Sequence, residues 1–267
     1  MTAAFIFIIG AMVGSFANVC IFRLPMGKSI VRPGSHCFRC GRQIKWFDNI
    51  PVLSFMFLRG RCRRCGLKFS ARYPFVEFLT GLFFLMLYFR FGIGPEFLIF
   101  SVFAVSMVIM SFIDIDHRII PDEIDLPGIA LGVILSAVYP PLHSRPQPWD
   151  SVFSSPVIIS LASSLSGIIV GGGMLMALAV FGKMAFKKEA MGGGDIKLIA
   201  MIGAFMGWQF ALLTIFLSAV IGSIIGFIMK LKTSSSYIPY GPYLALGALI
   251  SVFFGEEIIL WYLNTML

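Results

Sequence analysis

The stretch SVFAVSMVIMSFIDIDHRIIPDEID, residues 101–125, passes from an apolar run into the densest cluster of acids in the chain. Asp114, Asp116, Asp122, Glu123 and Asp125 are five of only thirteen acids among 267 residues. The apolar run begins near residue 95, which gives it the length of a helix crossing a hydrocarbon core: roughly 30 Å takes about 20 residues. An ionisable group at the end of such a run is costly and is usually kept for function. Asp114 directly continues the run, so it is the deepest acid of the group and the first candidate for chemistry.

The rest of the chain extends this reading. With 58% hydrophobic residues, 13% charged residues and a mean hydropathy of +0.91, it cannot cover an ordinary water-facing surface. It reads as an all-α polytopic membrane protein with about eight transmembrane helices, over 3–22, 75–91, 95–113, 124–139, 156–182, 196–207, 209–229 and 241–263. The first run lacks the basic start and small-residue cleavage site of a signal peptide, so it is kept as a membrane helix. The run 196–207 is short, and Gly207-Trp208-Gln209 is a slender hinge after it, so 196–229 reads as one span or two. A net charge of +8 raises nucleic acid as a partner, but the basic residues flank membrane runs, and no nucleic acid is expected. With the N-terminus outside, the inner segments 23–74, 114–123, 183–195 and 230–240, together with Lys197, hold nineteen of the twenty-one Lys and Arg residues. That is the positive-inside pattern.

The same topology sets Asp114 at the inner end of the third span. It sets Asp195, in Gly192-Gly193-Gly194-Asp195-Ile196-Lys197, at the inner start of the sixth. Two carboxylates held together in a partly dry site cannot both ionise easily, so one keeps a proton while the other acts as base on a shared water. That is the apparatus of an aspartyl protease, and it needs no separate nucleophile. His117 and His36 have no matching Ser or Cys arrangement. Gly192 and Gly194 permit close backbone approach of an extended substrate, and Lys197 either anchors at the interface or meets an acid. The plainer reading makes Gly192 to Gly194 a flexible helix entry with Asp195 as N-cap, Asp122 and Asp125 caps of the fourth span, and Asp116 a solvated neighbour of Arg118.

The chain divides into a first helix (1–22), a cytoplasmic loop (23–74) and a membrane domain of about seven helices (75–267). The loop carries twelve basic residues and one acid, Asp48, and is too small to fold on an apolar core alone. Cys37-x-x-Cys40 and Cys62-x-x-Cys65, separated by 21 residues, have the spacing of a structural four-thiolate zinc site. Redox dithiols are the weaker alternative on the cytoplasmic side. Cys20 reads as a packing residue. Trp46, Phe47 and Asp48 read as a miniature core, with a recognition surface as the other option.

These residues resemble the type IV prepilin leader peptidases, bifunctional membrane enzymes of the Gly-x-Gly-Asp aspartyl protease class. The resemblance rests on Gly14-Ser15-Phe16-Ala17-Asn18-Val19 with Arg23-Leu24-Pro25, the paired Cys-x-x-Cys loop, and Arg72-Tyr73-Pro74-Phe75-Val76-Glu77 with Thr80-Gly81. It continues through Ile113 to His117 with Ile120-Pro121-Asp122, Glu189 to Lys197, and Ile238 to Tyr243. It implies Asp114 and Asp195 as the catalytic pair, with Gly192, Gly194, Lys197 and Asp116 in support. It implies cleavage of a basic leader from prepilins or secretion pseudopilins at the cytoplasmic face of a bacterial inner membrane. It also implies N-methylation of the new terminus from S-adenosylmethionine, whose binding residues it leaves open beyond the inner loop and Glu77. The basic loop is then expected to face anionic lipid or the cofactor carboxylate, while Asp116, Asp122 and Asp125 meet the leader. The outer segment Tyr139 to Pro156, with Pro140, Pro141, Pro146 and Pro148, is longer than the resemblance leads one to expect. The alternatives are a related intramembrane aspartyl protease without methyl transfer, and a proton- or cation-coupled transporter. Oligomeric state and the particular prepilins are not set by the sequence.

Overall fold

The computed structural model describes residues 1–143, 149–186, 191–232 and 239–266. The expectations that touch Pro146, Pro148, Glu189, Ala190 and Ile238 lie outside the described residues. The helices are α1 (Thr2–Arg23), α2 (Leu53–Phe57), α3 (Arg72–Phe91), α4 (Pro95–His117), α5 (Asp122–Val138), α6 (Pro156–Phe186), α7 (Gly193–Met206), α8 (Trp208–Lys232) and α9 (Gly241–Met266). Among the described residues, strand pairing is confined to two isolated bridges, His36 with Gln43 and Arg61 with Lys68.

Each of the eight apolar runs coincides with one long helix. Six of them, α1, α3, α4, α6, α8 and α9, are long and apolar enough to cross a membrane. The other two have 17 and 14 residues, about 26 and 21 Å at 1.5 Å per residue, short of a 30 Å core. The hinge at Gly207 is real: its φ of +80° ends α7, and α8 starts at Trp208.

The chain forms two compact units, Met1–Ile113 and Asp114–Leu267. In the first, α1 and α3 run antiparallel, with Gly10 against Gly81 and Phe84. Asn18 Nδ2 donates to the Tyr73 carbonyl at 3.0 Å, tying the end of α1 to the start of α3. Arg72 lies over the Phe112 ring at 4.7 Å and donates to the Phe112 carbonyl at 3.1 Å.

The second unit holds α5 to α9. Helix association in lipid gains nothing from expelling apolar surface out of water, so small residues that allow close backbone contact decide it. Gly167 of α6 and Gly203 of α7 meet backbone to backbone, where a Cβ on either has no room. Ser164 Oγ of α6 donates to the Ala204 carbonyl at 2.9 Å beside them. Helix α7 is buried continuously from Leu198 to Met206, which accounts for a sequence with no polar face. Helix α5 packs parallel to α7, with Gly128 at Met201 and Gly132 at Ala204. Helices α8 and α9 are antiparallel, with Gly247 at Thr214 and Gly255 at Phe210.

Candidate active site

Asp114 lies in the last turn of α4 and is 7% exposed; Asp195 is the third residue of α7 and is 8% exposed. The backbone N–H of Gly241, first residue of α9, donates to Asp114 Oδ2 at 3.0 Å. The backbone N–H of Gly192 donates to Asp195 Oδ2 at 3.3 Å. Both carboxylates therefore sit against the start of a helix, where unpaired N–H groups and the helix dipole favour negative charge. Ile120 fills the space around which these elements meet. A Cβ on Gly194 would come within 2.9 Å of Ile120 Cβ, and one on Gly241 within 2.6 Å of Asp114 Oδ2 and 3.2 Å of Ile120 Cδ1. The end of α4 and the starts of α7 and α9 thus converge, and Asp114 is close enough to Asp195 for their charges to interact.

The other acids are placed differently. Asp116 is exposed. Asp122 does not cap α5, whose N-cap is Pro121 with no side-chain cap bond. Instead both its oxygens accept from Lys197 Nζ, at 2.6 and 2.8 Å. Lys197 therefore meets the acid cluster. Asp195 is not the N-cap of α7 either: Gly192 is, and Asp195 bonds back to it from the third helical position. The close approach allowed by Gly194 is to Ile120. Asp125 departs most from the cap reading, being 0% exposed with neither oxygen hydrogen-bonded among the described residues. Gly241 and Ile120 enter the sequence expectations only inside longer motifs, with no individual signal of their own. A signal for Asp125 existed, since Asp125, Gly128, Gly132 and Ser136 recur at helical spacing and all are buried.

The cysteine loop builds two similar turns. Cys37 N–H donates to the Arg42 carbonyl at 2.9 Å and Gly41 N–H to the Cys37 carbonyl at 2.8 Å. Cys62 N–H to Leu67 at 2.8 Å and Gly66 N–H to Cys62 at 3.0 Å repeat the pattern. Gly41 and Gly66 take φ of +65° and +69° to close these turns. The four sulfurs lie within 4.8 Å of one another, with Cys37 Sγ 3.6 Å from Cys65 Sγ. Four thiolates at about 2.3 Å from a tetrahedral zinc stand about 3.8 Å apart, so this donor set fits the metal. None of the five cysteines is in a disulfide. Backbone N–H groups of Cys40, and then of Arg39, point at the Cys37 sulfur and bring its thiol down to about 6. The expected miniature core is not there: Trp46 is 80% exposed, and Asp48 pairs with Arg63 at 2.6 Å. Instead, the two turns bring the four sulfurs together.

The same unit holds a half-open cavity of about 840 Å³ lined by Asn18, Phe22, Arg23, Phe55, Arg64 and Glu77, among others. Glu77 is fixed there by the Val52 N–H, which donates to its Oε2 at 2.8 Å.

Residues 8–91 match the Bacterial Peptidase A24 N-terminal domain, and residues 101–227 match the Type IV leader peptidase family. A prepilin leader peptidase/N-methyltransferase of Myxococcus xanthus is 39% identical over 86% of this chain and 64% of its own length. Proteins of the same name from Pseudomonas putida and Pseudomonas aeruginosa are each 34% identical, over 94% and 96% of this chain and 90% and 92% of their own lengths. No solved structure matches the chain. With apolar helices enough for a multi-pass bacterial membrane protein and matches running over nearly its whole length, the chain belongs to the type IV leader peptidase family.

Proposed function

We propose that this protein is a membrane aspartyl endopeptidase that removes the basic leader of prepilins or pseudopilins and then N-methylates the new amino terminus. What supports the peptidase half is that two buried carboxyl groups, Asp114 and Asp195, lie at helix ends that converge around Ile120. One carboxyl group holds a proton and the other is ionised. The ionised one accepts a proton from a water as the water's oxygen attacks the scissile carbonyl. The protonated one donates to the developing oxyanion, and a proton then passes to the leaving amine. Helix-start N–H groups at both aspartates hold the carboxylates in fixed directions, so little reorganisation is needed during the reaction.

The methyl-transfer half has support in the first unit. The cavity of about 840 Å³ is within the range of small-molecule sites. Arg23 and Arg64 suit the carboxylate of S-adenosylmethionine, Phe22 and Phe55 suit its adenine, and Glu77 suits its cationic end. The cofactor supplies an electrophilic methyl group. Zinc on Cys37, Cys40, Cys62 and Cys65 holds the loop that lines this cavity, with no coordination position left for catalysis. The N-terminus lies outside and both aspartates at the cytoplasmic face of the inner membrane, a topology supported by the distribution of Lys and Arg.

Purified full-length protein in detergent, incubated with a prepilin, tests the reading. Asp114→Asn and Asp195→Asn should each slow cleavage by about 10³-fold or more. Cleavage at the wild-type rate in either variant refutes the dyad. Mass analysis of the mature product, with and without S-adenosylmethionine, should show one added methyl group only when the cofactor is present.

A further inference from the structure

One buried acidic group in the second unit is not used by this chemistry. Asp125 is 0% exposed, and neither carboxyl oxygen has a hydrogen-bond partner among the described residues. A carboxyl group withdrawn from water without a partner is expensive, and native structures rarely keep one without a use. Its surroundings say what the use is. Asp125 lies three residues after Asp122 on α5, on the face that carries Gly128 and Gly132 against Met201 and Ala204 of α7. Because α5 and α7 are parallel, that face meets the first turns of α7, and Asp125 feels the charges of Asp122, Lys197 and Asp195. The Lys197 ammonium thus pairs with one acid of α5 while a second lies one turn further along the same helix. It occupies the outer one, Asp122, in a partly solvated pair with side-chain exposures of 40% and 54%. The inner one is left without a cation.

Residues three apart on a helix stand about 5–6 Å from each other, a gap that the long lysine side chain closes by changing rotamer while both helices stay in place. An exposed ion pair is worth little and is open to competition. Asp122 and Glu123 are exposed at the start of α5, with Asp116 and Arg118 exposed at and just after the end of α4, so a competitor for Lys197's place on Asp122 is cationic. We propose that Asp125 is a positioning residue for Asp195: a basic side chain of the substrate takes Asp122, and the displaced Lys197 moves inward to Asp125, beside Asp195. The ion pair between α5 and the first turn of α7 is then transferred from the exposed Asp122 to the buried Asp125 only when a cationic substrate is bound. Leader charge acts on turnover as well as on binding, because it sets where Lys197 lies next to Asp195.

This inference rests on the peptidase reading, and its test separates the two. Full-length protein in detergent would be assayed on one prepilin and on the same prepilin with every Lys and Arg of its leader replaced by Gln. Wild type should show kcat about tenfold higher on the basic leader. Asp125→Asn, which keeps the shape of the buried group, should lower kcat on the basic leader to the neutral-leader value, removing the preference. Asp122→Asn leaves the buried carboxyl untouched and frees Lys197, so it should raise kcat on the neutral leader towards the basic-leader value. A merely structural role for Asp125 would slow both leaders by the same factor. That result, or an unchanged preference in both variants, overturns the proposal. Failure of wild type to cleave either substrate would instead overturn the peptidase reading.

Discussion

Gly241→Ala isolates the geometry of Asp114 from its chemistry. The added methyl would lie 2.6 Å from Asp114 Oδ2 and 3.2 Å from Ile120 Cδ1, whereas ordinary contact begins at 3.4 Å. The carboxylate must therefore give way by about 0.8 Å, and it can do so only by turning away from the Gly241 N–H that now holds it at 3.0 Å. Because the obstructing atom is the end of a short side chain that can rotate, the stability cost should be that of one hydrogen bond, about 1 kcal/mol. Catalysis is less forgiving: a displacement near 1 Å at a reacting group costs on the order of 10²-fold, about 2.7 kcal/mol of transition-state stabilisation. Initial rates of prepilin cleavage, measured as loss of the leader, should fall by about that factor. Thermal unfolding in detergent should move by only a few degrees. If Gly241→Ala cleaves within about threefold of the wild-type rate, or if the loss of rate merely tracks a loss of folded protein, Asp114 is not held for catalysis by the start of α9.

Three further outcomes are expected. Gly203→Val should prevent the close crossing of α6 and α7, where Gly167 and Gly203 touch through backbone, and should leave little folded protein on size-exclusion chromatography. Cys37→Ser should release zinc measured by metal analysis and make the 23–74 loop sensitive to limited proteolysis, because the sulfur cluster holds a loop whose aromatic Trp46 lies in solvent. Arg72→Ala should lower stability by about 1–2 kcal/mol, seen as a drop in melting temperature, by removing both the ring contact at 4.7 Å and the bond to the Phe112 carbonyl at 3.1 Å.

Length and hydropathy are enough to locate every long helix, because a membrane helix has to be apolar over its whole length. The asymmetry of Lys and Arg leads one to expect Asp114 and Asp195 at one membrane face, because charged loops resist transfer across the bilayer. Cys-x-x-Cys spacing locates the sulfur cluster, because two tight turns can offer four thiolates to one point. Each of these is a local or one-dimensional constraint, legible in the order of residues. Contacts made where helices meet are not legible in that way. Asp122 and Asp125 look alike three residues apart in a helix's first turn, yet one is exposed and paired with Lys197 while the other is fully buried without a hydrogen-bond partner. Only the packing of α5 on α7 separates them. Likewise Gly241 stands 127 positions from Asp114, and only the convergence of α9 on the end of α4 turns its N–H into a carboxylate ligand. The sequence by itself determined which runs form the long helices and which two turns carry the cysteines, since apolar length and local spacing set those. Tertiary structure decided which of them touch, since contact between distant helices depends on how their small residues let the backbones approach.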